Sequence, residues 1–99
     1  MRIYAIRDTV AQAIVAGAVF TERSDASASR MFADACLDER GLIGKHPGDF
    51  ELIHLGDLEE DTGKITTDGV FGYPLPRVIT TGASMVAARN AAQAQGDIK

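Results

Sequence analysis

Residues 24–39 read Ser-Asp-Ala-Ser-Ala-Ser-Arg-Met-Phe-Ala-Asp-Ala-Cys-Leu-Asp-Glu, and their periodicity sets the architecture. Ala28, Met31, Phe32, Ala35 and Cys36 recur at spacings of three and four, which lines them up on one face of an α-helix. Arg30, Asp34 and Asp38 fall off that stripe. Ser24 or Asp25 can accept hydrogen bonds from the unpaired N–H groups of the first turn. Gly41 is placed to stop the helix. A helix with a single apolar stripe must bury it against another layer.

The flanking segments supply that layer. Residues 2–7 (Arg-Ile-Tyr-Ala-Ile-Arg) alternate as a strand, with Arg2, Tyr4 and Ile6 on one face and Ile3, Ala5 and Arg7 on the other. A second strand passes through Val19 and Phe20, and Ala11 to Ala16 reads as a helical turn. Phe50 to Leu58 is a strand with Phe50, Leu52 and His54 on one face and Ile53 and Leu55 on the other. Apolar residues on both faces mark a central strand.

Residues 59–64 form a hairpin connection, because Asp61 can bond its own turn and Gly63 can take a positive φ. Ile65 to Thr67 begins the return. Val70 to Tyr73 is short and β-prone, and Val78 to Thr81 is a last strand. Glycines and a proline make residues 41–49 a loop. Ser84 to Gln95 is alanine-rich with a thin apolar face, a weak helix or a frayed tail from about residue 83. The expectation is therefore one α+β domain over residues 1–99. It has a small antiparallel sheet of three to five strands and one main helix, 24–39, packed on one face.

Charge narrows the function. The chain carries −4 overall, but residues 34–61 hold −7 between flanks of +1 and +2. Such a balance opposes a uniformly basic nucleic-acid coat and leaves room for a local basic patch. One cysteine excludes an internal disulfide framework. No apolar run spans a bilayer, so no membrane partner is expected. The N-terminus reads as a strand rather than a leader, since Asp8 spoils the positive region a leader needs.

No motif here specifies chemistry. Gly41 to His46 imitates a phosphate loop, but Glu39 stands at the first glycine position and His46 at the hydroxyl position. Cys36, His46, His54, Asp49 and Glu51 lack the spacing of a metal site. Cys36 lies on the helix stripe, where a thiol is inert packing. No nucleophile–base pair can be assembled, so neither an enzyme nor a cofactor is expected.

An ordered string of segments carries a resemblance. It runs through Tyr4-Ala5-Ile6-Arg7-Asp8, Arg30-Met31-Phe32, Gly44-Lys45-His46-Pro47-Gly48-Asp49-Phe50-Glu51-Leu52, Leu55-Gly56 and Asp61-Thr62-Gly63-Lys64. The chain resembles the small non-structural protein of gokushovirus-type microviruses, the small single-stranded DNA phages of bacteria. The likeness covers about residues 2–65 and is strongest from Lys45 to Lys64. Val19-Phe20 stands where similar proteins often carry Pro-Phe, and residues from Asp68 onward match nothing in that group. The resemblance implies a non-structural role in the host bacterial cytoplasm, DNA binding or help in genome replication and packaging, and no catalytic set.

Two functional readings follow. In the first, the protein binds single-stranded DNA through Arg2, Tyr4, Arg7, Arg23 and Arg30, with the acidic segment facing away. In the second, it is a protein adapter without DNA affinity. Its acidic middle, with Glu59, Glu60 and Asp61, then docks a basic capsid or replication protein, or a second copy of itself as a homodimer.

Overall fold

A computed structural model describes residues 1–68 and 73–97. Strands β1 (Arg2–Asp8), β2 (Ala13–Glu22), β3 (Phe50–Leu58), β4 (Ile65–Thr66) and β5 (Arg77–Thr81) form one antiparallel sheet. Its order is β2-β1-β3-β4, with β5 also on β3. Helix α1 (Asp25–Leu37) covers one face, so the α+β architecture expected from the sequence is the one observed. β3 is central, as its two apolar faces required, and β1 pairs along its whole length between β2 and β3.

The core forms where the α1 stripe meets one face of the sheet. Ala28, Phe32 and Cys36 pack on Tyr4, Ile6, Phe50 and Leu52. Met31, nominally on the same stripe, is 47% exposed, so the buried seam is narrower than the periodicity suggests. Ser24 is the helix cap, its Oγ accepting from the Ser27 N–H at 3.2 Å. Asp25 is the first helical residue and is used differently, as shown below.

Three local expectations change. The helix ends at Asp38 in an extended conformation, not at Gly41. Gly41 instead precedes a one-turn helix, α2 (Leu42–Lys45), and a 3-10 turn follows at Pro47–Asp49, where a plain loop was expected. The reason is packing. A Cβ at Gly44 would stand 1.8 Å from the Asp38 carbonyl oxygen, so the glycine lets this turn fold tightly back on the end of α1. Ala13 to Ala16 is strand rather than helical turn, since pairing with β1 through Asp8–Ala13 and Arg7–Ile14 overrides the local preference of the alanines.

The C-terminal helix, thinly signalled in the sequence, is α3 (Gly82–Asp97). It is held at its start. Gly82 sits against the Pro47 backbone, and Met85 packs on the core. The expected β-prone segment from Val70 lies outside the described residues except for Tyr73.

Candidate functional site

The polar residues with the most convergent geometry meet at the N-terminus of α1. Alternation along β1 turns Arg2 and Tyr4 toward the helix. The register of β5 on β3 places Arg77 beside His54, which lies beside Tyr4. The Ser24 cap starts α1 so that Asp25 projects into this corner. Arg2 Nη1 donates to Asp25 Oδ1 at 2.8 Å, Tyr4 Oη donates to the same oxygen at 2.5 Å, and Arg77 Nη2 donates to Oδ2 at 3.1 Å.

The electrostatics follow from that arrangement. Burial alone would raise the Asp25 carboxyl, but hydrogen bonds from Tyr4, Arg2 and Arg77 outweigh it and hold the group at about 2. Burial, together with the bond to Asp25, pushes the Tyr4 phenol well above its ordinary range. The bond to Asp25 raises the Arg2 guanidinium further. Asp25 also suits the positive end of the helix dipole. At neutral pH the corner is a fixed carboxylate clamped by two cations and a phenol, and it ties α1 to both β1 and β5.

Tyr4 is fully buried. Its ring stacks on Phe20 with centroids 5.8 Å apart and meets the His54 ring at 5.2 Å. His54 Nε2 donates to the Gly56 carbonyl at 3.0 Å and lies 3.3 Å from Asp57 Oδ1. Tyr4 is thus a core residue, and the expectation that it stacks a nucleobase is withdrawn. Alternation gave its face correctly but could not say that α1 covers that face.

The candidate basic residues do not converge. Arg2 is held by Asp25, while Arg7 lies on the opposite face of the sheet with Nη1 3.5 Å from Glu51 Oε1. Arg23 Nη1 reaches Glu60 Oε1 at 3.0 Å. Arg30 stands exposed on α1 and makes no ion pair among the described residues. Arg77, brought to Asp25 from 52 residues away, lies over the Tyr73 ring with its guanidinium carbon 4.9 Å from the centroid. Tyr73 is 53% exposed.

The acidic segment divides as well. Asp34 and Asp38 sit toward the C-terminal end of α1, about 14–20 Å along its axis from Asp25. Glu59, Glu60 and Asp61 form the tip of the β3–β4 hairpin, at the other end of the helix. The turn is closed by Glu59 N–H to the Lys64 carbonyl and Gly63 N–H to the Glu59 carbonyl, each at 2.8 Å. Glu60 is paired with Arg23 and lies 3.9 Å from the N-terminal ammonium. Glu59 and Asp61 are exposed and make no ion pair among the described residues.

Cys36 is buried on the core seam, where burial pushes its thiol up. Among the described residues no group of three or more His, Cys, Asp and Glu side chains is placed to hold a metal ion. Among the described residues no helix is long and apolar enough to cross a membrane.

A protein-family model described as Phage ORF5 protein matches residues 1–85. The match ends just inside α3, so most of that helix lies beyond it. No curated protein and no solved structure matches the chain.

Proposed function

The chain belongs to the Phage ORF5 protein family, and from that membership we propose a non-structural accessory protein of a gokushovirus-type microvirus. It acts without catalysis in the host bacterial cytoplasm, during synthesis or packaging of the single-stranded genome. It works through protein contacts, with the acidic hairpin tip as the docking element for a basic capsid or replication protein. The supporting observation is the disposition of charge. Arg2, Arg7 and Arg23 are occupied by carboxylates of this chain and Tyr4 is buried, whereas Glu59 and Asp61 are presented to solvent on a closed turn. Exposed carboxylates on a rigid turn steer and orient a cationic partner.

A pull-down with the phage's own basic proteins tests this. Reversing Glu59, Glu60 and Asp61 to lysine is expected to abolish capture, with the melting temperature checked because Glu60 pairs with Arg23. Undiminished capture overturns the adapter reading.

One observation favours direct binding of single-stranded DNA instead. The exposed Tyr73 ring beneath the Arg77 guanidinium, close to Arg2, has the composition of a base-stacking and phosphate-holding corner. On this reading an oligonucleotide titration shows binding at low salt that weakens at ~150 mM, and Tyr73→Ala reduces it at least about threefold. No binding at low salt ends this alternative.

A further inference from the structure

β2 is a ten-residue strand with β1 on one side, and no strand on the other among the described residues. Isolated edges in small sheets are normally blunted by charge, proline or short length. The opposite side of this sheet follows that practice, with β4 only two residues long and β5 entered from Pro76 and headed by Arg77. β2 does not. From Ala13 to Thr21 it contains no charged residue and no proline. Val19 is 56% exposed and Ile14 40% exposed, both on the sheet face away from α1. Val19 continues there into a row with Ala5, Ile53 and Val78.

We propose that this edge is an interface between two copies of the chain, joined by antiparallel pairing of β2 with β2 across a twofold axis into one continuous sheet. Antiparallel pairing of a strand with its own copy is self-complementary and closes at the dimer. Charge selects the same orientation. Glu22 and Arg23 follow the uncharged run at one end only, so antiparallel pairing sends the two copies' charges to opposite ends. Parallel pairing would set Glu22 beside Glu22.

The one irregularity is compatible with the pairing. Gly17, at φ 77°, bends β2 where its register on β1 shifts, and a Cβ built there meets nothing within 4 Å. Open space at the middle of the strand lets a second backbone approach. The buried area sets the strength. Ten residues at about 3.3 Å each, over a sheet about 10 Å thick, cover ~330 Å² per protomer before side chains are added. The two protomers together then bury ~660 Å² of backbone edge, below the ~1,200 Å² at which standard stable interfaces begin, so the dimer is weak and forms only at high concentration. The interface is independent of the acidic hairpin, which lies beyond β3 on the other side of the sheet.

Sedimentation velocity of the full chain from about 5 to about 500 µM, a range that reaches weak association, tests the proposal. The expected result is a shift from monomer to dimer, with the β2 amides gaining protection from hydrogen exchange at the high concentration. The double variant Ile14→Lys with Val19→Lys changes exposed side chains only and is expected to remain monomeric with an unchanged melting temperature. Val78→Lys, in the same row but on β5, is expected to dimerise like the parent. A parent chain that stays monomeric throughout overturns the proposal. So does a double variant that dimerises as the parent does, or a loss of dimer caused by Val78→Lys, which would indicate packing of sheet faces instead.

Discussion

Replacing Asp25 by alanine is expected to lower the melting temperature by about 10 °C, equivalent to ~2 kcal/mol in a domain of this size. The change removes the common acceptor of Arg2, Tyr4 and Arg77 and leaves a buried phenol and two half-buried guanidiniums facing one another. Removing one partner of such a cluster costs more than the net value of its bonds, because the remaining groups have already given up water. The figure is held below that of a fully buried cluster because about a third of the Asp25 side chain still meets solvent.

The same substitution has a pH signature. The Asp25 carboxyl moves from an ordinary value of 3.8 down to about 2 on folding. A depressed carboxylate contributes stability that is fully present above the unfolded value and lost as pH falls through the folded one. Asp25→Asn keeps the shape and removes the titration. The stability gap between the parent and Asp25→Asn should therefore be constant above about pH 4 and narrow by ~1 kcal/mol toward pH 2, after discounting for solvent screening. Urea unfolding of both proteins between those limits measures it. A gap that stays constant down to pH 2 would show that the carboxylate is not held by its three donors.

Gly82→Ala is expected to be among the most damaging glycine-to-alanine changes at the described positions. A Cβ there would stand 1.7 Å from the Pro47 carbonyl oxygen and 2.5 Å from its carbon, both backbone atoms. No rotamer relieves such a clash. Either α3 lifts from the 3-10 turn or the turn shifts under Phe50. The expected cost is about 3 kcal/mol, at the upper end for overpacking, with hydrogen-exchange protection lost first in α3. Gly48→Ala, one residue beyond Pro47, is the control: nothing lies within 4 Å of its added Cβ, so its effect should be small. Equal denaturation midpoints for Gly82→Ala and the parent would contradict the close approach.

Much of the architecture was legible in residue order. The spacing of Ala28, Phe32 and Cys36 encodes α1, and alternation with apolar residues on both faces marks β3 as central. The Asp61 to Lys64 turn encodes the hairpin. These signals are local, since each depends on residues within about two turns or one strand.

The site was much less legible. Asp25 reads as one of two candidate caps, and nothing near it announces three partners lying 21, 23 and 52 residues away. Tyr4 and its flanking arginines suggested a nucleic-acid surface because alternation sorts side chains into two faces without saying which face a helix covers.

By itself, then, the sequence determined α1 and the strands β1 and β3, which strand is central, and that the charge is unevenly distributed. Only the tertiary structure decided that Tyr4 is core, that α2 folds onto the end of α1 at Gly44, and that the start of α3 packs on the 3-10 turn at Gly82. It alone decided, too, that Arg2, Arg7 and Arg23 are answered by carboxylates of the same chain. The physical reason is range. Helix and strand periodicity is set by neighbouring backbone geometry, whereas burial and ion pairing depend on segments that meet only once the sheet has closed and α1 has docked on it.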